Sequence, residues 1–412
     1  MEDKLLKHGS IIFSASVISF LFAYVFQFYM ARALGPESYG ILGSMLSLLY
    51  IFAVPSSVIT TTLTQVISEH KGRGEFGKIR SIFLVSIRKL IYLGLIIFVV
   101  LILLSPFIKN ILNLPSETPV IMLAFSLIFI TVLPSPRGVL QGMQEFGSLG
   151  FNMAIEKPVL LLSGALFIYS GMGINGVLLS YGACAFVVLV LALLPLRSVL
   201  KEKSEKVNIS VYKYASPIFI LILSITILSS IDIFFVRSYF SAEISGYFTT
   251  LKMLGEVLYF LAVALGGVLL PKVSEMKTLD KAHSFLLKKT LTYFGIVLVA
   301  VLFAYAIAPG FIVTFFFGKS YSSIAGYLVW YALAMGLLSL AVIFMFYDIS
   351  VKRTAFRYPL ILITFLEIVL LMMFHETIDQ IIGVQIATFS VLLVTVILIG
   401  RRSRNVEINM FK

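Results

Sequence analysis

This chain predicts an all-α polytopic membrane protein: about twelve transmembrane helices in two pseudo-symmetric six-helix lobes. Three observations predict it. First, 59% of the 412 residues are hydrophobic and 13% charged, with mean hydropathy +1.03; a soluble chain carries about 25% charged residues. Second, twelve apolar stretches threaded in alternation put all but five of the 32 Lys and Arg residues on one side. Cationic loops resist translocation, so that side is the cytoplasm, with both termini on it. Third, the pattern recurs after half the chain length.

The spans follow in order. Met1–His8 brings Lys4 and Lys7 to an apolar run that is too long for a signal-peptide core and lacks a cleavage site, so it is span 1, over 10–33. Span 2 covers 41–68. A turn with Lys71, Arg73, Lys78 and Arg80, then Arg88 and Lys89, leads into span 3 at 87–108. Spans 4, 5 and 6 are 118–142, 147–170 and 174–196. Arg197, Lys201, Lys203, Lys206 and Lys213 lead to span 7 at 212–236, and span 8 is 244–271. Lys272, Lys277, Lys281, Lys288 and Lys289 precede or open span 9 at 286–308. Span 10 is 323–347; Lys352, Arg353 and Arg357 come before span 11 at 357–374, and span 12 is 378–400, followed by Arg401, Arg402, Arg404 and Lys412. Arg137 and Lys157 lie in the inner halves of spans 4 and 5. On the outer side stand only Arg32, Lys109, Arg237 and Lys319, while Lys252 is within span 8; outer loops carry Glu37, Glu117, Glu243, Glu376 and Asp379 instead. Asn208-Ile209-Ser210 matches a glycosylation sequon but falls on the cytoplasmic side.

A shift of 206 residues aligns Glu37 with Glu243, Gly40 with Gly246, and Ser68-Glu69 with Ser274-Glu275. Each half, 1–206 and 207–412, has an even number of spans, so the halves run in the same sense about an axis along the membrane normal. Pro55, Pro134, Pro136, Pro158 and Pro217 fall inside spans and bend them.

Charge inside a bilayer costs about 2.5–3.5 kcal/mol per residue on insertion scales, so intramembrane ions are candidate functional groups. Span 5 has Glu156-Lys157-Pro158. Adjacent helical residues point about 100° apart, so this pair is expected not to neutralise itself. Lys252 and Glu256 in span 8 are spaced i,i+4 and can pair. Asp232, about one and a half turns inside the outer boundary of span 7, either accepts a coupling ion or holds a nearby Lys or Arg; Glu367 in span 11 is open to the same two readings. Ser16, Ser19 and Gln27 form a polar stripe on span 1 that either lines water or joins helices.

The net charge of +12 suits anionic lipid rather than nucleic acid. The lone Cys184 supports no disulfide or cysteine metal site. His8, His70, His283 and His375 have no metal-ligand spacing. No Walker-type loop, catalytic triad or cofactor motif is legible, and the loops leave no room for a soluble catalytic domain, so neither an enzyme nor a bound cofactor is expected.

Met30-Ala31-Arg32-Ala33-Leu34-Gly35-Pro36-Glu37-Ser38-Tyr39-Gly40 resembles the signature of the polysaccharide-biosynthesis, lipid-linked oligosaccharide flippases of the multidrug/oligosaccharidyl-lipid/polysaccharide exporter superfamily. Its Gly-Pro turn joins spans 1 and 2 across the outer face. Ser241-Ala242-Glu243-Ile244-Ser245-Gly246-Tyr247 resembles the second copy, without Gly-Pro; Asp232 and Pro271-Lys272-Val273-Ser274-Glu275 also fit. The likeness is specific mainly over 28–80 and 229–276. It implies two lobes forming a V around a central cavity, moving polyprenyl-linked sugars to the outer leaflet of the cytoplasmic membrane by alternating access. Arg32, Lys157, Arg237 and Lys252 are the candidate substrate-binding cations. Asp232, Glu256 and Glu156 are the candidate ion-coupling acids, for a proton or sodium ion. Membrane lipids and polysaccharide assembly proteins are the further partners it implies. The alternative is an ion-coupled multidrug or metabolite exporter of the same superfamily, which would call for an acid-dominated cavity.

Overall fold

The computed structural model describes residues 2–205, 216–278, 283–353 and 355–410. The expected half boundary at 206/207, the Asn208 sequon and the first residues of span 7 lie outside them. The chain divides into two compact units, Met1–Leu223 and Ser224–Lys412, and every regular element among the described residues is helical.

Unit 1 opens with one continuous helical stretch, Glu2–Gly72, broken at Gly35 (φ 72°, ψ 170°) into α1 (2–34) and α2 (36–72). In a straight helix residues 27 and 39 would stand about 18 Å apart. Here the Tyr39 hydroxyl donates to Gln27 Oε1 at 3.2 Å, so the chain folds back at the break. A single residue makes this turn because glycine tolerates positive φ and Pro36 opens a helix without needing its missing N–H. The polar stripe of span 1 resolves accordingly: Gln27 is buried and joins two helices.

The other long helices of unit 1 are α3 (Phe76–Ile111), α4 (Thr118–Gly142), α5 (Phe146–Tyr169) and α6 (Gly173–Leu193). In α4 the helix is interrupted at Leu133, immediately before Pro134 and Pro136. The boundary between the units falls inside α7 (Ser216–Tyr239), and unit 2 continues with α8 (Ala242–Thr278), α9 (Ser284–Ile307), a short helix Pro309–Phe317, α10 (Leu328–Ser350), α11 (Arg357–Met373) and α12 (Ile378–Met410). A 3₁₀ segment, Lys319–Tyr327, leads into α10, where the sequence reading has the first turn of span 10. Ten stretches are long and apolar enough to cross a membrane. One of them contains the α1–α2 break and so comprises two helices, and α11 is a further apolar helix of 17 residues. The described residues thus hold about twelve long apolar helices, consistent with the hydropathy pattern.

In unit 1, α2 and α4 pack backbone to backbone. A methyl group on Gly142 would stand 2.6 Å from Ile67 Cβ and 2.9 Å from the Thr64 carbonyl. Along this seam Thr64 Oγ1 donates to Gly138 O (3.3 Å), Ser68 Oγ to Gly142 O (3.2 Å) and Lys71 Nζ to Met143 O. Small residues and hydroxyls are what let membrane helices approach this closely.

Unit 2 repeats the end of the seam. Ser274 Oγ donates to Ser350 O (3.1 Å) and Lys277 Nζ to Val351 O (2.6 Å). The donors lie 206 residues beyond Ser68 and Lys71, the shift read from the sequence. The residue after each accepting end, Gln144 or Lys352, has positive φ (58° and 61°).

Candidate functional site

Each unit holds a polar centre. In unit 1, α5 projects Asn152 and Glu156 from one face, four residues apart, towards Arg137 of α4. Arg137 Nε donates to Asn152 Oδ1 (2.8 Å) and Nη2 to Glu156 Oε2 (2.7 Å). Asn152 Nδ2 ties the group to α6 through Val188 O (2.8 Å). Lys157 Nζ takes the other Glu156 oxygen at 2.7 Å. This corrects the expectation that Glu156 and Lys157 are poorly placed to neutralise each other: the backbone bonds diverge, but the four-carbon lysine stem bends back across that angle. One carboxylate thus serves two cations, leaving an excess of one positive charge midway along α5. The two cations remain part-exposed, with 20% and 27% of the Arg137 and Lys157 side chains accessible.

In unit 2 the centre is drier. Asp232 on α7 is fully buried. Its Oδ1 lies 3.2 Å from Lys252 Nζ of α8 and accepts the Ile233 backbone N–H at 2.8 Å. Its Oδ2 accepts Tyr331 Oη of α10 (2.6 Å) and Gln385 Nε2 of α12 (2.9 Å). Lys252 also donates to the Ser229 carbonyl and pairs with Glu256 at 3.1 Å, the i,i+4 contact its spacing predicts. One network therefore joins four helices. Among the predicted site residues, the structure gathers Asp232, Lys252 and Glu256 here, and Glu156 with Lys157 in unit 1. Arg237 is buried on α7, five residues beyond Asp232, whereas Arg32 is exposed in the last turn of α1. The sequence reading does not assign Asn152, Tyr331 or Gln385. Asn152 is legible only as the i−4 neighbour of Glu156.

At the α2–α3 turn, Glu75 accepts from Lys78 Nζ (2.6 Å) and meets His70 Nδ1 (2.5 Å). These bonds, from Lys78 first and His70 second, hold its carboxyl below the ordinary range.

Comparison with known proteins bears on the whole chain. A family model described as polysaccharide biosynthesis protein matches residues 5–277. The chain belongs to the polysaccharide biosynthesis protein family. A relative within reach of this family member is an uncharacterized membrane protein of Methanocaldococcus jannaschii, 26% identical over 315 residues, covering 70% of this chain and 72% of that one. Two solved structures share its fold. One is an inward-facing multidrug resistance MATE family transporter of the MOP superfamily (TM-score 0.73, 16% identity, 93% of this chain and 94% of that one). The other is a MOP superfamily transporter from Pyrococcus furiosus (TM-score 0.69, 15% identity, 97% and 94%). This member of the polysaccharide biosynthesis family is therefore a multi-pass membrane protein with a transporter fold.

Proposed function

We propose that this protein is a flippase that carries lipid-linked oligosaccharide, of the polyprenyl-pyrophosphate type, across the cytoplasmic membrane by alternating access. The product serves surface polysaccharide or glycan assembly, and both termini face the cytoplasm. The protein transports without breaking or forming covalent bonds. Moving one hydroxyl into hydrocarbon without a partner costs about 4–8 kcal/mol. An oligosaccharide on a pyrophosphate therefore faces a barrier of tens of kcal/mol, and every 1.4 kcal/mol removed is about tenfold in rate.

The single observation that carries the reading is the unit 1 centre, where two part-exposed cations share one carboxylate. A phosphate group supplies the missing anion, and the guanidinium of Arg137 and ammonium of Lys157 both suit phosphate oxygens. Arg32 and Arg237 are further candidate contacts. Lys252 is a weaker one, because two carboxylates already compensate it. Asp232, Glu256 and Glu156 remain the candidate coupling acids, for a proton or sodium ion, and membrane lipids and polysaccharide assembly proteins are the proposed partners.

A second reading, an ion-coupled exporter of small molecules, is favoured by the acid excess in unit 2, where Asp232, Glu256 and Glu367 are buried with Lys252. The two readings differ in ligand charge. Purified protein in nanodiscs should bind a polyprenyl-pyrophosphate sugar and lose about tenfold in affinity in Lys157→Ala, the loss of one charge-assisted contact. Equal binding of the uncharged polyprenol, or preference for a lipophilic cation, would favour the exporter.

A further inference from the structure

We infer that Glu367 on α11 is a residue of unit 2 that carries an exchangeable proton, in contrast to Asp232, whose oxygens are supplied with donors. Both side chains are fully buried. Their surroundings are opposite. Asp232 receives hydrogen bonds from Tyr331, Gln385 and the Ile233 backbone and an ion pair from Lys252. Neither oxygen of Glu367 has a hydrogen-bond partner. An ionised carboxylate stripped of water and of donors is far more costly than the neutral acid. The neutral form is the one this interior tolerates.

The groups around Glu367 point the same way. The charges of Asp232 and Lys252 act on it. Asp232 of α7 and Glu256 of α8 already outnumber Lys252, the one cation of that network, so a further negative charge meets net repulsion. Tyr331 of α10 spends its hydroxyl on Asp232. Gln385 of α12 gives its amide N–H to Asp232 and leaves its own Oε1 without a donor. Among the described residues, the Asp232 network therefore holds a spare acceptor, the Gln385 Oε1, and no donor free to stabilise a second carboxylate. Deprotonation of Glu367 to water would leave a carboxylate competing with Asp232 for Lys252. Losing that proton therefore rearranges the bonds that tie α7, α8, α10 and α12 together. The coupling role rests on the transporter reading; the protonation itself does not.

Infrared difference spectra of the full-length protein in bilayers test the protonation. A protonated-carboxyl carbonyl band is expected at neutral pH, retained in Asp232→Asn and lost in Glu367→Gln. Glu367→Gln mimics the neutral acid, so it should keep the wild-type Tm. Absence of the band in the wild type, its survival in Glu367→Gln, a lowered Tm in that variant, or its removal by sodium at constant pH would each overturn the proposal. In proteoliposomes, Glu367→Gln should lose the response of transport to a pH gradient; an unchanged response overturns the coupling role. Wild-type vesicles that move no substrate but still show the band would contradict only the transporter reading.

Discussion

Lys71 and Lys277, 206 residues apart, each donate an ammonium hydrogen bond to the carbonyl that closes a partner helix, Met143 in unit 1 and Val351 in unit 2. Each places a positive charge at the negative end of a helix and satisfies a carbonyl that the helix leaves unpaired. Lys71→Met and Lys277→Met should each lower stability by about 1–2 kcal/mol, the range of a charge-assisted bond at a helix end. Thermal unfolding in detergent measures it. Wild-type Tm in both variants would show that these caps are idle.

The buried network of unit 2 makes a sharper prediction. Asp232→Asn leaves Lys252 with Glu256 alone and should cost about 3–5 kcal/mol, the usual result of removing one partner from a buried ion pair. Asp232→Asn combined with Lys252→Met and Glu256→Gln removes all three charges of the network and should recover much of that loss. A triple variant no more stable than Asp232→Asn would mean that the loss comes from the hydrogen bonds to Tyr331 and Gln385 and not from the unbalanced charges.

Gly142→Ala tests the α2–α4 seam. The added methyl group meets Ile67 Cβ at 2.6 Å and backbone at 2.9 Å, so the helices must separate, at about 1–3 kcal/mol. Gly147 faces open space, and Gly147→Ala should stabilise by up to about 1 kcal/mol through helix propensity alone. Equal effects of the two substitutions in a chemical or thermal melt would contradict the packing described.

The α2–α3 turn should be acid-sensitive. The Glu75 carboxyl is held below its ordinary range by Lys78 and His70. A depressed acid contributes stability that is present above its unfolded-state pKa and is lost as pH falls through the lower folded-state value. The wild type should therefore lose stability below about pH 4, the ordinary carboxylate range, and Glu75→Gln should lack that step. Melts of both proteins across the acid range check it; superimposable pH profiles would contradict it.

Hydropathy and charge made most of the fold legible before any coordinates. Span 4, expected at 118–142, has those same ends in α4 because Pro119 opens it and the turn at Met143 and Gln144 closes it. By contrast α2 and α8 run past their expected ends at 68 and 271 to Gly72 and Thr278. Hydropathy marks where lipid begins, and α2 and α8 continue beyond it with last turns that still reach partner helices, through Lys71 and Lys277. The charged members of both centres were visible as intramembrane ions, and the i,i+4 spacing of Lys252 and Glu256 foretold their contact. Their distant partners were not visible. Tyr331 and Gln385 lie 99 and 153 residues from Asp232, and no local pattern brings them together. The Glu156–Lys157 contact was missed because backbone angles were used where side-chain length decides.

The most direct measurement is leaflet transfer. Protein reconstituted into sealed vesicles containing a fluorescent polyprenyl-pyrophosphate oligosaccharide should equilibrate that lipid between leaflets far faster than empty vesicles, and Arg137→Gln with Lys157→Ala should abolish the acceleration. Transfer no faster than in protein-free vesicles, with correctly folded protein present, would contradict the flippase reading.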